Sequence, residues 1–370
     1  MSRIFLLIAG VLVVLAGELL ESRQTPAPFQ LPEPSEIAPE TGFSQAEIIP
    51  VPTPSCHAST LAEFQDGRLF CAWFGGTREG ASDVSIYGAF RTASGWSEPV
   101  VIVSRETVQK ELGRSIRKLG NPVLHFQDGK LHLFFVSVSI GGWSGSGVNH
   151  ALLDENGKLI SGSVSRLRLS PFLNLSNLVR CPALPLTNGE IDLPIYYEFN
   201  QKFARLVRLS PDGKVLSTNR IAAPSAIQPC VVAVSENEAL AVMRNPEKGP
   251  IPAAQTQNVG ESWRSLPPLP IFNQDSSVAL LRLNDGRFLL VGNPEDGRET
   301  LNLWVSEGPT FEKWILLQEL EKTPECEFSY PFMIQGKDGA VHLTYTWKRE
   351  GIAYRKIQAV TAPAGKEAQK

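Results

Sequence analysis

Short apolar runs recur along this chain in pairs, each pair split by a few polar turn residues. The first pair, CHASTLAEFQDGRLFCAWFGG, begins at Cys56, and LGNPVLHFQDGKLHLFFVSV begins at Leu119. VRCPALPLTNGEIDLPIYYE follows at Val179 and IQPCVVAVSENEALAVMRNP at Ile227. QDSSVALLRLNDGRFLLVGNP begins at Gln274 and EFSYPFMIQGKDGAVHLTYTW at Glu327. Each pattern predicts a strand, a tight turn and a second strand. The turns are Asp66-Gly67, Asp128-Gly129, Asn188-Gly189, Asp285-Gly286 and Asp338-Gly339, while the fourth return passes through Glu236 to Glu238 without a glycine. Asp-Gly and Asn-Gly predict two-residue hairpin turns with positive φ at both central positions. The returns are spaced by roughly 45 to 65 residues, which leaves room for two outer strands each. The expected fold is therefore all-β, a six-bladed β-propeller over residues 46–360. Ala46 to Pro52 is expected to supply an outer strand that closes the last blade beside GIAYRKIQAV.

Composition narrows the class. Hydrophobic residues make up 42% and charged residues 20%, as in a protein with a substantial core. A net charge of −3 argues against a nucleic-acid partner. Cys56, Cys71, Cys181, Cys230 and Cys326 form no CxxC pair and no Cys/His cluster at metal spacing, so neither a metal nor a cofactor is expected. One disulfide remains open to an exported chain. At the N-terminus Arg3 precedes an apolar run from Ile4 to Gly17, shorter than the roughly 20 residues of a bilayer span. Residues 1–23 are expected to be a signal peptide, with Val14-Leu15-Ala16 as cleavage site, or an uncleaved membrane anchor. The body is then periplasmic or anchored facing outside the cytoplasm, touching a membrane only through that segment. Residues 24–45 read as a Pro-rich linker and 361–370 as a disordered tail.

In a propeller the starts of the first strands and the ends of the second strands meet at one end of the central channel. That end gathers His57, Asn121, Arg180, Gln228, Asp275, Glu327, Phe328 and Tyr330 from strand starts. Strand ends and following loops add Arg78, Glu79, Asp83, Glu198, Arg244, Arg298, Trp347 and Arg349. Charged groups are costly away from water unless paired, so such a gathering points to a site for an anionic ligand.

TQNVGESW (Thr256 to Trp263), Arg244 in VMRNP, Arg298 in EDGRETLNLWVS and the loop FGGTREGASDVSIY together resemble the sialidase superfamily, over about Ala46 to Ile357. The overall text is closest to its BNR-repeat, predicted-neuraminidase group. TQNVGESW is similar to the Asp-box, with Asn258 in place of the Asp; that motif implies a folding device in the turn between outer strands. The resemblance implies that Arg244 and Arg298 grip a substrate carboxylate, where a third arginine is replaced by His57. It implies Glu79 or Asp83 as proton donor, with Arg78 an additional arginine of that loop. It also implies that the usual Tyr/Glu nucleophile pair is gone, because Gln228 stands at the glutamate position and Phe328 at the tyrosine position.

Several readings follow. In one, a glycoside hydrolase for an acidic glycan uses Glu79 or Asp83 as acid and Asp275 or Glu327 to activate water. In another, Tyr330 is the phenol, two places along from Phe328 on the same strand face, with Glu327 or His57 taking its proton. Asn121, Arg180, Gln228 and Trp347 would complete the substrate contacts. The alternatives are a carbohydrate-binding propeller that uses Trp73, Tyr345 and Trp347, and a uronic-acid lyase with His57 or Tyr330 as base.

Overall fold

The computed structural model describes residues 25–31, 42–170, 174–295 and 297–358. The expectations for residues 1–23 and 361–370 lie outside these. The described chain is built from six antiparallel sheets of four or five strands arranged in a ring. The innermost strands are Ser55–Glu63, Lys118–Gln127, Asn177–Val179, Ile227–Ala233, Ala279–Arg282 and Phe328–Gln335. The second strands, Leu69–Gly76, Lys130–Val138, Ile191–Tyr197, Ala239–Arg244, Phe288–Gly292 and Val341–Trp347, return to the mouth end. In the third blade the inner strand is interrupted after Val179 and resumes at Leu184–Pro185. One short helix, Arg105–Leu112, joins the first two blades; Ser104 caps its start and Gly113 ends it in the left-handed conformation.

The ring closes as the sequence predicts. Glu47, Ile48 and Ile49 pair with Tyr354, Ala353 and Ile352, so the N-terminal strand completes the sixth blade. Large side chains fill the seams between blades, and Phe70, Phe74 and Phe135 pack between the first two. Leu303, Phe328 and Tyr345 do the same between the fifth and sixth.

The turn chemistry differs from the two-residue expectation. Only Asp128-Gly129 has positive φ at both central positions (50° and 75°). Elsewhere the glycine alone is left-handed, and its N–H bonds back three residues, as Gly67 does to Phe64 and Gly286 to Leu283. This is a type I turn followed by a bulge. The preceding Asp or Asn then uses its side chain differently: Asp66, Asn188, Asp285 and Asp338 each accept from the backbone N–H two residues on. In the fourth blade, where no glycine is present, Ser235 takes this part by accepting from Asn237 and Glu238.

Asn258 does organise the turn between the outer strands of the fourth blade. Its Oδ1 accepts from the Ser262 N–H, Thr256 Oγ1 accepts from the Gly260 N–H, and the Trp263 indole donates to the Gly260 carbonyl. Arg208 binds Asp192 through two nitrogens (2.9 and 2.8 Å) and donates to the Val259 carbonyl, which ties this turn to the third blade.

Part of the Pro-rich stretch is packed on the propeller at the hairpin-turn end. Phe29 is 1% exposed and bridges to Leu186. Phe29 and Gln30 donate to the carbonyls of Glu236 and Pro185, and the Pro28 carbonyl accepts from Thr187. Gln30 and Leu31 border a cavity of about 400 Å³ at that end of the channel, lined by Leu61, Leu124, Phe332 and Met333.

Candidate functional site

The side chains at the mouth are aimed by bulges in the inner strands. The ladder shifts register between His57 and Thr60, Gly120 and Val123, Ile227 and Cys230, and Ser329 and Phe332. At each shift one non-glycine residue takes positive φ: Ala58 (54°), Asn121 (40°), Gln228 (50°) and Tyr330 (54°). Such backbone is uncommon for these residue types and clusters at functional sites. In three of the four the next residue is proline (Pro122, Pro229, Pro331), whose missing N–H suits an interrupted ladder.

Tyr330 occupies the centre. Its phenol oxygen lies 3.3 Å from Gln228 Nε2 and 3.4 Å from Arg244 Nη1. Its ring lies 4.1 Å from the His57 ring, centroid to centroid, with the Arg180 and Arg298 guanidinium carbons 5.1 and 5.5 Å from its own. Gln228 Nε2 also reaches the phenol of Tyr196 (3.2 Å), which Asn121 approaches from the second blade (3.4 Å). Gln228 Oε1 is buried and has no hydrogen-bond partner among the described residues. Turning the amide over would let that oxygen accept from both phenols, and in neither orientation can the amide remove a proton.

Arginine–carboxylate pairs surround this phenol. Arg244 Nε holds Asp275 at 2.6 Å. Arg298 Nη1 holds one oxygen of Glu327 at 2.8 Å, and Arg349 Nε holds the other at 2.8 Å. Arg349 Nη1 then reaches Glu79 at 2.6 Å. Burial pushes the Glu327 carboxyl upward, but the bonds from Arg349 and Ser329 and the nearby arginine charges outweigh it, and its pKa falls below the usual value. Burial, reinforced by Arg349, Arg298, Arg180 and Arg244, holds His57 well below its ordinary value and therefore neutral. The His57 Nδ1 pairs with Thr346 Oγ1 at 2.9 Å. Burial raises the carboxyl of Glu198, opposed by Arg244 and Lys202.

The remaining residues singled out by sequence divide into three groups. Arg180 is 1% exposed, and its guanidinium donates to the carbonyls of Ser59, Tyr330 and Pro331, clamping the third blade to the first and sixth. Asp83 accepts from the N–H and hydroxyl of Thr77, which holds its pKa down and braces the loop carrying Arg78 and Glu79, both exposed. Phe328 is fully buried with Leu303 and Tyr345, and Trp347 lies opposite it in register, packed on the same core. Phe328 and Tyr330 do not share the strand face that alternation predicts: the bulge between Ser329 and Phe332 turns Tyr330 into the mouth and leaves Phe328 in the seam. Trp73 and Tyr345 are also fully buried. Tyr196 carries no signal in the sequence pattern, which assigns Arg349 and Glu198 to the mouth but gives them no role. The repeated X-Pro in the inner strands was the signal that marks the bulges.

A six-bladed ring with an Asp-box-like turn, and a mouth where arginines surround a phenol, defines a sialidase-like β-propeller. Residues 67–343 match the BNR repeat-like domain, and the chain belongs to that family. Among solved structures, the Hadza microbial sialidase Hz136 superposes with a TM-score of 0.66 at 14% identity, covering 83% of this chain and 66% of that one. A protein of unknown function from Dyadobacter fermentans gives 0.69 at 14% identity, covering 87% of this chain and all (100%) of that one. Trypanosoma rangeli sialidase gives 0.65 at 12% identity, covering 88% and 60%, and that enzyme has also been solved in complex with sialic acid. The chain thus spans 60% to 66% of the length of these two sialidases. No curated protein matches the sequence.

Proposed function

We propose that this chain is an exported, sialidase-like glycoside hydrolase acting on a sugar that bears a carboxylate, with Tyr330 in the part lost at Phe328. The observation that carries the reading is the Tyr330 phenol, set among Arg244, Arg298 and His57 at the mouth. Arg244 and Arg298 each keep guanidinium N–H groups beyond those spent on Asp275 and Glu327, and such forks suit a carboxylate. Neutral His57, whose ring lies against Tyr330, is the base proposed to take the phenol proton as the oxygen attacks an anomeric carbon, and hydrogen bonds from Gln228 and Arg244 would stabilise the negative charge that develops there. Glu79, on an exposed loop, is the carboxyl suited to protonate the leaving oxygen. Export rests on the apolar run from Ile4 to Gly17.

A purely binding propeller is less well supported, since two of the three aromatics it would use, Trp73 and Tyr345, are fully buried. The test is reducing-sugar release from sialosides, Kdo-glycosides and uronides by wild type, Tyr330→Phe and Arg244→Ala. The expected result is turnover of one acidic class, lowered roughly 100-fold or more in each variant. Turnover indifferent to both changes would overturn the assignment. Absent turnover, with acidic-sugar binding that depends on Arg244, would replace hydrolase by binder.

A further inference from the structure

We infer that Arg349, which shares Glu327 with Arg298, joins Arg298 in holding the ligand's carboxylate, that Glu79 is a built-in stand-in for that carboxylate at Arg349, and that an acidic sugar binds by displacing it. This rests on the reading that an acidic sugar occupies the mouth, and adds to it how the site is held before the sugar arrives.

The argument is an asymmetry around one guanidinium. The inner side of Arg349 is fixed. Its Nε bonds Glu327 Oε2, while Glu327 Oε1 is taken by Arg298 and Ser329. The backbone there is fixed as well: the Arg349 carbonyl accepts from Cys56, the Glu327 carbonyl accepts from Lys348, and Lys348 and Arg349 both have positive φ. The outer side is held by one carboxylate oxygen, Glu79 Oε2 at 2.6 Å. Glu79 comes from the opposite end of the sequence, on the exposed 77–83 loop, and among the described residues its only ion-pair partner is Arg349. The pair stays partly open to water, with the Arg349 and Glu79 side chains 29% and 36% exposed, and such pairs contribute little to stability, so exchange of one carboxylate for another costs little. The guanidinium thus has a permanent anchor on one edge and an exchangeable anion on the other.

Displacement also bears on Glu79 itself. Once displaced from Arg349, it is the same carboxyl that the proposed reaction uses as proton donor to the leaving oxygen. Removing the carboxylate should therefore move binding and turnover in opposite directions. Loss of a merely structural residue would weaken both.

The experiment measures calorimetric affinity for N-acetylneuraminate and D-glucuronate, with uncharged D-glucose as control, in wild type, Glu79→Gln and Arg349→Lys. Glu79→Gln is expected to bind the acidic sugar roughly three- to fivefold more tightly, since it no longer competes for Arg349. Arg349→Lys, which keeps the charge but not the fork, is expected to bind more weakly. Where a substrate is turned over, Glu79→Gln is expected to lower KM and kcat together. Equal or weaker acidic-sugar binding in Glu79→Gln overturns the inference whatever the turnover. Absent turnover with the tighter binding intact overturns the hydrolase reading and leaves this one standing. No binding of either acid by any variant overturns both.

Discussion

The two ends of the channel are built from the same six strand pairs and solve opposite problems. At the turn end, Asp, Asn and Ser side chains close the hairpins onto their own backbone, apolar side chains line the channel, and residues 25–31 pack across its edge. At the mouth the same strands break register, a non-glycine residue takes positive φ at each of the four breaks, and arginines and carboxylates crowd around one phenol. Local turn chemistry makes the first end self-sufficient. The second holds together through contacts between blades, as when Arg349 of the sixth blade bridges to Glu79 of the first. Strain and charge are therefore concentrated at the mouth, where the proposed ligand would sit, and the turn end is closed by its own local contacts.

Arg180 sharpens this contrast most. It lies at the mouth in sequence and in space, yet all of its hydrogen bonds go to backbone carbonyls of two other blades. Arg180→Met would leave those buried carbonyls without donors, and the expected loss is about 3–5 kcal/mol. Arg244→Met, at a part-exposed pair, should cost on the order of 1 kcal/mol. Urea denaturation of the two variants checks this. Equal losses would mean that the mouth does not separate a structural arginine from ligand-facing ones.

Phe29 tests the opposite end. Its side chain packs among Leu184, Leu186 and Val231, and the backbone around it makes three hydrogen bonds to the third and fourth blades. Phe29→Ala should cost about 3 kcal/mol locally, seen as faster amide exchange at Gln30 and Thr187. Acidic-sugar binding should stay unchanged. A weakened sugar site in this variant would break the separation of the two ends.

Much of this fold was legible in the chain because the hairpin is a local object. Asp285-Gly286 between two apolar runs announces its turn, and six such returns can only be buried together by a ring. The turn type was less legible, since Asp66-Gly67 fits both a two-residue turn and a bulged one, and the twist of the flanking strands decides. Tyr330 was the hardest to place. Strict alternation puts it on the same face as Phe328, and a single left-handed residue overrides that period. Arg180 and Arg244 look alike in sequence, and which becomes a clamp depends on carbonyls contributed by strands 121 and 150 residues away.

The turn half also holds titratable groups, and its stability should therefore depend on acid. His132 Nδ1 lies 2.9 Å from His150 Nε2 in the second blade, with His125 beside His132 and Asp212 and Gly213 of the third blade against them. Burial, with the charges of His150, His125 and Lys130, takes His132 down to about 3. Burial, partly opposed by Asp212, takes His150 down to about 4. Both therefore stay neutral in the folded chain well below the pH at which an unfolded histidine, near 6.5, takes a proton. The contribution is complete above about pH 6.5 and is lost as the pH falls from there toward the folded values, because only the unfolded chain gains protons in that window. Between pH 7.5 and 5 the loss is about 2 kcal/mol for His150 alone. Urea denaturation at pH 7.5 and pH 5 should show a drop in stability smaller by about that amount in His150→Gln, which can keep a hydrogen bond to His132 without gaining a charge. An identical acid drop in wild type and variant would show that the blade opens at this seam to solvate the ring. The turn end would then be no more closed to water than the mouth.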